Sequence, residues 1–296
     1  MFRRLYRQRR RFAVVTLFLT VGLLSMLANG WAPEGDALPL DNWITWVSIF
    51  LASLIVTTGL ILVTTYVLPG LRHALETMTL TILITPAIQH TAATFGTDVG
   101  SYVWLVWILT FVALEHLIYG PHLDRLTFAL PQRRSRFRTK AAPQAAWAAL
   151  APLAEHSGRH FYPGTRFETD EDGSVRAIYP LKGGQTYQVE RFMPPQVEAP
   201  HLYAARFTPA ETSAGSGGLA GETVIEITPR DGSGSDIAVT EARDAAPIRR
   251  HLQLWLDDEL GDRTDCMAAR IDGRHDWSFF KHQFPSPAQG GTPVPA

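Results

Sequence analysis

The sequence has only three lysines and one cysteine, and two long stretches of its first half contain no cation at all. Neither Lys nor Arg occurs in residues 12–71 or in residues 73–124. An unpaired cation is costly in hydrocarbon, so exclusion over this length predicts a membrane domain covering the first ~120 residues. Basic residues crowd both flanks instead, over residues 3–11 and 133–140.

The scarcity of cysteine and of catalytic motifs excludes several kinds of site. Cys266 is alone, so neither an intrachain disulfide nor a cysteine-based zinc cluster can form. There is no nucleophile elbow, P-loop or dinucleotide fingerprint. His156 and His160 have the spacing of two helical metal ligands, but without an acidic HExxH pattern we expect surface or capping histidines. The sequence therefore predicts no cofactor, no metal and no catalytic residue.

The charges of the two halves have opposite sign. Residues 1–140 hold 13 Lys+Arg and 7 Asp+Glu, whereas residues 141–296 hold 14 and 21. An acidic second half makes nucleic acid an unexpected partner, because phosphate binding needs a basic surface. The basic flanks of the apolar half are expected to face anionic lipid headgroups on the inner side of a membrane.

Four apolar stretches approach the ~20 residues that a helix needs to cross hydrocarbon. They cover residues 12–29, 43–68, 78–95 and 102–119. Their basic flanks place both termini in the cytoplasm by the positive-inside rule. A cleaved signal peptide is the alternative for the first stretch, which is longer than usual for one and is followed by three more. Arginine outnumbers lysine 24 to 3, so we expect a bacterial inner-membrane protein.

A few polar side chains lie at the inner ends of the third and fourth stretches. These side chains belong to His73, Glu76, Glu115 and His116. They could form a metal or proton site at the interface. The favoured interpretation is that they lie in the headgroup layer and pair with one another or with nearby arginines.

The second half reads as a soluble α+β domain of short strands. A strand at 136–142 and a helix at 143–156 open it, and a long amphipathic helix at 247–272 closes it. Turn signals separate six strands, at 165–169, 174–180, 186–192, 201–207, 222–229 and 235–241. The predicted domain boundaries are a four-helix membrane domain at 1–120, a basic juxtamembrane linker at 121–140, the soluble domain at 141–284 and a disordered tail at 285–296.

Three phrases of the second half resemble a known superfamily. KAAPQAAWAALAPLAEH, GLAGETVIEITPRDGSGSDIAVTEARD and LQLWLDDELGDRTDCMAARIDG are similar to the opening helix, the late strands and the closing helix of START-like proteins, also called SRPBCC or Bet v 1-like. The resemblance covers about residues 137–284. It implies a helix-grip fold, in which an antiparallel sheet wraps around the long C-terminal helix and encloses an apolar cavity.

The same resemblance implies a hydrophobic ligand inside that cavity. The candidate lining residues are Trp147, Tyr162, Phe167, Ile178, Tyr187, Phe192, Tyr203, Phe207, Trp255 and Met267. The competing interpretation is that these side chains fill an ordinary core, as inward-facing aromatic residues of strands more often do.

Two functions from different classes remain open at this point. The first is a membrane-anchored START-like protein that binds a lipid or another hydrophobic small molecule on the cytoplasmic side. The alternative is an accessory or assembly subunit, whose helices dock onto an integral-membrane partner through small and hydroxylated residues. An enzyme acting on a lipophilic substrate is a weaker third possibility. Membrane lipids are expected partners in each case.

Overall fold

The structure is a computed structural model that describes residues 2–28, 43–68, 71, 73–96, 102–182, 186–212, 219–231 and 234–284. It divides into two compact units, a helical unit that ends at Leu126 and a sheet unit that begins at Thr127. The segment between the first two predicted apolar stretches, residues 30–42, and the predicted disordered tail at 285–296 lie outside the described residues.

The helical unit contains five helices among the residues described. These are α1 (Phe2–Arg7), α2 (Arg9–Ala28), α3 (Trp43–Tyr66), α4 (Ala74–Thr94) and α5 (Val103–Tyr119), followed by a 3-10 turn at Pro121–Arg125. Helix α2 packs against α3 and α4, and α4 packs against α5. Each of the four predicted apolar stretches is therefore a helix.

Only two of those four helices have the length and composition of a membrane span. Helices α2 and α3 are long and apolar enough to cross a bilayer. Helix α4 has 21 residues, but its threonines together with Glu76, Gln89 and His90 make it too polar. Helix α5 is apolar but has 17 residues, short of the ~20 that hydrocarbon requires. The prediction of four spanning helices is corrected to two candidates.

The helical unit buries hydroxyl groups and exposes hydrocarbon. Thr79, Thr81 and Thr85 of α4 are fully buried, and each hydroxyl donates to a carbonyl oxygen one turn earlier in the helix. On α3, Ser53 and Thr57 are completely buried, whereas Trp43 and Ile55 are each 71 % exposed. The unit also buries a small apolar cluster of Val15, Ile61 and Leu75, so the exposed apolar surface is what distinguishes it from a water-soluble protein.

The sheet unit contains one antiparallel sheet of eight strands among the described residues. In chain order the strands are β1 (Thr127–Thr139), β2 (Arg166–Thr169), β3 (Val175–Pro180), β4 (Tyr187–Phe192), β5 (Gln196–Glu198), β6 (Leu202–Thr212), β7 (Gly221–Pro229) and β8 (Ser235–Pro247). Their order across the sheet is β1-β8-β7-β6-β4-β3-β2, and β5 pairs with the outer part of β6. The antiparallel α+β architecture was predicted, but the short strand β5 was not.

Strand β1 replaces most of the predicted linker. Its thirteen residues begin at Thr127 and pair with β8 from Thr127↔Pro247 to Thr139↔Ser235, with two register shifts. The strand can be this long because β8 is also thirteen residues long and offers a partner throughout. The predicted linker at 121–140 contains this strand from residue 127 onward; the sequence predicts a strand only from residue 136, because positive charge hides the first nine residues.

The C-terminal helix is broken into two helices. Helix α7 (Ile248–Leu256) and helix α8 (Glu259–Ile271) are separated at Asp258, whose backbone is left-handed at φ 48°. Left-handed backbone cannot continue a right-handed helix, so the apolar stripe predicted as one helix at 247–272 changes direction here. The prediction of a single long C-terminal helix is therefore corrected to two helices.

The opening helix is shorter than predicted because the chain reaches Pro152. Helix α6 (Pro143–Leu150) ends before it, and a separate 3-10 turn follows at Ala154–His156. A proline cannot donate the helical hydrogen bond and clashes with the preceding turn.

The core of the sheet unit lies between the concave sheet face and helices α6 and α8. Helix α6 contributes Trp147 and Leu150, and α8 contributes Leu260 and Met267. A hydrogen bond of 2.7 Å between Ser135 of β1 and Thr264 ties α8 to the edge of the sheet.

Candidate functional site

A cavity of about 200 Å³ lies in the sheet unit between the sheet and α8. Strands β3, β4, β6, β7 and β8 supply ten of its twenty-two lining residues, and the others come from α6, α7, α8 and the segments that follow α6, β3 and α8. Its apolar lining consists of Leu150, Pro152, Phe161, Tyr162, Tyr179, Leu181, Phe192, Phe207, Ile225, Val239, Met267 and Phe280. The side chain of Arg250 is 42 % exposed where it lines the cavity, so the cavity reaches solvent there.

Charged side chains, here called the charged wall, also line the cavity beside neutral polar ones such as Gln188, Thr223 and Gln283. Glu190 comes from β4, Glu241 and Arg243 from β8, and Glu259 and Arg263 from α8. Arg263 donates to Glu241 at 2.5 Å, and Arg243 donates to the other oxygen of the same carboxylate at 3.5 Å. Burial alone would raise the pKa of Glu241, but the two guanidinium groups outweigh it and hold that pKa below its usual value.

The histidine and the tyrosines that line the cavity are neutral at physiological pH. Desolvation, reinforced by nearby His156, lowers the pKa of His160 to about 3. Burial raises the pKa of Tyr179 well above its usual value, with Glu190 adding to the effect. His160 therefore presents an uncharged imidazole and Tyr179 an intact phenol.

Four of the ten cavity residues predicted from the sequence line this cavity. They are Tyr162, Phe192, Phe207 and Met267. Phe192 and Phe207 lie on adjacent strands with ring centroids 6.0 Å apart, and Met267 faces them from α8. Side chains from the sheet and from α8 therefore line the same cavity.

The other six predicted residues lie elsewhere in the sheet unit. Trp147, Phe167 and Tyr203 are buried in the core. The next two occupy the strand positions beside lining residues: Ile178 precedes Tyr179, and Tyr187 precedes Gln188. Successive strand side chains point to opposite faces, so neither reaches the cavity. Trp255 lies on α7 and is 43 % exposed.

The charged wall was missed because the sequence prediction selected residues by type and not by strand position. Gln188, Glu190 and Phe192 alternate along β4, and Val239, Glu241 and Arg243 alternate along β8. A charged residue in phase with inward apolar residues was the signal available in the sequence. His160, predicted to be a surface or capping histidine, lines the cavity, whereas His156 is buried with Nδ1 2.8 Å from the Ala151 carbonyl oxygen.

Two acidic residues of α8 have partners inside the sheet unit. Asp262 is 6 % exposed, and its carboxylate accepts hydrogen bonds from the backbone N–H groups of Phe279 and Phe280 at 3.1 and 2.8 Å. Glu259 lines the cavity and pairs with Arg250 at 3.3 Å. Both carboxylates therefore shape the interior.

The predicted polar cluster of the helical unit is divided between different partners. Glu76 is buried and pairs with Arg11 of α2, whose guanidinium also donates to Gln8 at 2.6 Å. The ring of His73 lies 5.9 Å from that of Tyr119. The other two residues occupy α5. His116 Nε2 lies 2.8 Å from Nε2 of His122, and Glu115 is half-buried one residue away.

No group of three or more His, Cys, Asp or Glu side chains able to hold a metal occurs in the part of the chain that the structure describes. Arg11, which carries the pairing of Glu76, was not singled out in the sequence because it belongs to the basic N-terminal flank.

Comparison with known proteins returns matches to solved structures only. No protein-family model and no curated protein matches the chain. The solved structures it is similar to include Ara h 8.0201, at 13% identity and a TM-score of 0.36, covering 49% of this chain and 97% of that one.

Two further matches come from bacteria. The Zhui aromatase/cyclase from Streptomyces sp. R1128 shares 12% identity at a TM-score of 0.35, covering 49% of this chain and 93% of that one. Protein Ms6760 from Mycobacterium smegmatis shares 15% identity at a TM-score of 0.34, covering 51% and 91%.

Proposed function

We propose that the sheet unit binds a small hydrophobic molecule in its cavity and that helices α2 and α3 anchor the protein in a bacterial cytoplasmic membrane. The observation that carries the binding proposal is the cavity itself. Well-packed cores contain few voids larger than a water molecule, yet about 200 Å³ stays open between Phe192, Phe207 and Met267. An engineered apolar cavity of ~150 Å³ is large enough to bind benzene.

The exposed apolar surface of the helical unit supports the membrane anchor. Exposed side chains of α3, such as Trp43 and Ile55, would be costly in water and favourable in lipid. Thr58 and Thr64 of α3 each donate the side-chain hydroxyl to a carbonyl oxygen one turn earlier in the same helix, which satisfies these donors without water. The basic N-terminal residues favour the cytoplasmic side for the N-terminus, and two crossings by α2 and α3 return the chain to that side.

The binding test uses methionine methyl groups as site-specific reporters. The chain has five methionines. Met267 lines the cavity, and Met193 is 41 % exposed on the sheet unit. We expect the ¹³C-methyl signal of Met267 in the full-length protein, held in lipid nanodiscs, to shift in a saturable manner when 2-phenylethanol is added. The signal of Met193 is expected to stay in place.

Two substitutions on one strand provide the matched control. Thr223 of β7 lines the cavity, and Thr228 of the same strand is exposed. Thr223→Phe fills the cavity and is expected to abolish the Met267 shift, whereas Thr228→Phe is expected to leave it unchanged. A Met267 signal that responds to no probe, or that responds equally in Thr223→Phe, would overturn the binding proposal.

A further inference from the structure

Three arginines and three glutamates line the cavity, so their charges cancel only while all three glutamates are ionised. Arg250 and Glu259 pair with each other at 3.3 Å and neutralise one another near the solvent-exposed end. Deeper inside, Glu241 is shared by two guanidinium groups, those of Arg263 and Arg243. One carboxylate thus faces two cations, and its two oxygens are both engaged.

The protonation state of Glu190 determines the net charge of the residues that line the cavity. This residue forms no ion pair with any described residue, and its carboxyl accepts a hydrogen bond of 2.8 Å from Gln188. Burial raises the pKa of Glu190, and the nearby Arg243 and Arg263 only partly oppose that rise. The residues Glu190, Glu241, Arg243 and Arg263 are here called the inner wall of the cavity. When Glu190 is protonated, the inner wall has one positive charge without a counter-charge.

One donor in this wall also lacks an acceptor. Arg263 Nε is buried and has no hydrogen-bond partner, although the rest of the guanidinium donates to Glu241. A buried N–H without an acceptor is destabilising, and an ion makes the cost larger. An anionic oxygen arriving in the cavity would satisfy both the donor and the charge.

Every other titratable group at the cavity is accounted for. The full set comprises His160, Tyr162, Tyr179, Glu190, Glu241, Arg243, Arg250, Glu259 and Arg263. The histidine is neutral and the two phenols are protonated, because burial lowers the pKa of His160 to about 3 and raises the pKa of both tyrosines. Glu190 is the carboxyl of the inner wall whose pKa is raised, so its protonation state sets the charge of that wall.

We propose that the ligand is a small lipophilic anion, a monocarboxylate whose apolar part lies against Phe192, Phe207 and Met267 and whose carboxylate contacts Arg243 and Arg263. The proposal rests on the binding function proposed above and names its ligand class. Glu190 is protonated in the complex. The volume of about 200 Å³ suits an apolar group slightly larger than benzene.

Three probes of one shape and different charge test the inference. They are phenylacetate, 2-phenylethanol and 2-phenylethylamine, titrated into the full-length protein with the Met267 methyl signal as the readout. We expect phenylacetate to bind at least tenfold more tightly than the alcohol, and the amine to bind most weakly. Tightest binding of the alcohol or the amine would overturn the anion assignment while leaving the binding function intact. No response to any of the three would overturn both.

The pH dependence separates Glu190 from a general preference for anions. Rising pH ionises Glu190 and adds a negative charge beside the ligand, so the affinity for phenylacetate, measured at a series of pH values, is expected to fall as the pH rises. Glu190→Gln keeps the shape and the Gln188 contact while removing the charge, and should make the affinity independent of pH. A fall of the same size in Glu190→Gln, or no fall in the unaltered protein, would overturn the role of Glu190.

Discussion

Two tyrosines of the sheet unit are almost equally buried but differ in how their hydroxyls are satisfied. Tyr162 is 5% exposed, and its hydroxyl lies 3.0 Å from the Pro180 carbonyl oxygen and 3.2 Å from that of Gln283. Tyr203 is 0% exposed, and its hydroxyl has no hydrogen-bond partner. Burial raises the pKa of both phenols, so both hydroxyls stay protonated and need an acceptor.

Replacing each tyrosine by phenylalanine is expected to change stability in opposite directions. Tyr203→Phe removes an unsatisfied polar group and should stabilise the sheet unit by about 1 kcal/mol, whereas Tyr162→Phe removes a satisfied one and should destabilise it by about 1 kcal/mol. Cys266 provides the measurement. It is the single cysteine, fully buried on α8, so its labelling by a maleimide in increasing urea reports opening of this unit alone. Equal effects of the two substitutions would contradict the account.

The carboxylate of Asp262 binds the backbone of the segment that follows α8. Asp262→Ala removes the carboxylate that accepts hydrogen bonds from the N–H groups of Phe279 and Phe280. We expect a loss of about 3 kcal/mol in the free energy of unfolding, from two hydrogen bonds to a charged group at about 1.5–3 kcal/mol each. Asp231→Ala, at an exposed position of the sheet unit, serves as the control and should have no measurable effect. A comparable loss in both variants would show that the hydrogen bonds do not matter.

At the scale of elements, the break between α7 and α8 sets the direction of both helices. Helix α7 is held to β1 through Arg133, which donates to the Leu254 carbonyl oxygen at 2.8 Å. Helix α8 packs on the core through Leu260 and Met267. Asp258 connects the two helices with a left-handed backbone that few residues other than Gly, Asn and Asp adopt.

Substitutions at Asp258 test whether that backbone conformation is required. A β-branched side chain disfavours the left-handed region, whereas glycine accepts it freely. Asp258→Val is therefore expected to be about 1–2 kcal/mol less stable than Asp258→Gly. Urea-dependent labelling of Cys266 again gives the comparison. If valine and glycine were tolerated equally, the junction would be free to adopt another conformation.

Asp272 joins the end of α8 to the end of β1 and makes that junction sensitive to acid. Its side chain is 3% exposed and accepts hydrogen bonds from Thr139 Oγ1 at 2.5 Å, Lys140 N at 2.9 Å and Arg274 at 2.7 Å. Burial would raise its pKa, but the bonds from Thr139 and Lys140, with Arg274, outweigh it and lower that pKa. A lowered pKa stabilises the fold above the unfolded-state pKa of about 3.9 and loses that effect as the pH falls further.

Asp272→Asn is the test of this junction. It should lower the free energy of unfolding of the sheet unit by about 1–2 kcal/mol at pH 7, where the carboxylate is charged. The difference from the unaltered protein should shrink as the pH falls below about 4. Calorimetric melting between pH 7 and pH 3 provides the measurement, and a difference that grows on acidification would refute the assignment.

The sequence predicted the order and type of most elements but not their limits or the chemistry of the cavity. Periodicity places a helix at residues 143–156 and a helical stripe at 247–272, yet it cannot show that Pro152 and Asp258 end these helices. The strand β1 depends on a partner more than a hundred residues away, which no local pattern contains. Glu190 and Arg263 were missed because a charged residue suggests solvent unless its strand or helix phase is known.

At the scale of the whole molecule, two units that bury different groups share one chain. The sheet unit buries its apolar residues, and the helical unit buries hydroxyl groups. Under the proposed membrane anchoring, helices α2 and α3 cross the bilayer once each, and both chain ends are cytoplasmic.

Reporter fusions test that topology. A fluorescent protein joined after Ala296 should fluoresce in a bacterial host, because it folds in the cytoplasm, whereas alkaline phosphatase at the same place should be inactive. Phosphatase inserted within residues 29–42 should be active, because that loop is expected outside. The reverse pattern of activities would contradict the proposed orientation.

The exposed apolar surface of the helical unit has a consequence for biogenesis. Collapse in water would gain little for helices that direct threonine inwards and tryptophan and isoleucine outwards, so hydrocarbon must receive them as they leave the ribosome. The strands of the sheet unit, which are synthesised later, would then pair only after α2 and α3 have been inserted into the membrane. Delayed targeting should accordingly produce aggregation of the nascent chain, with proteolysis beginning in its first 126 residues.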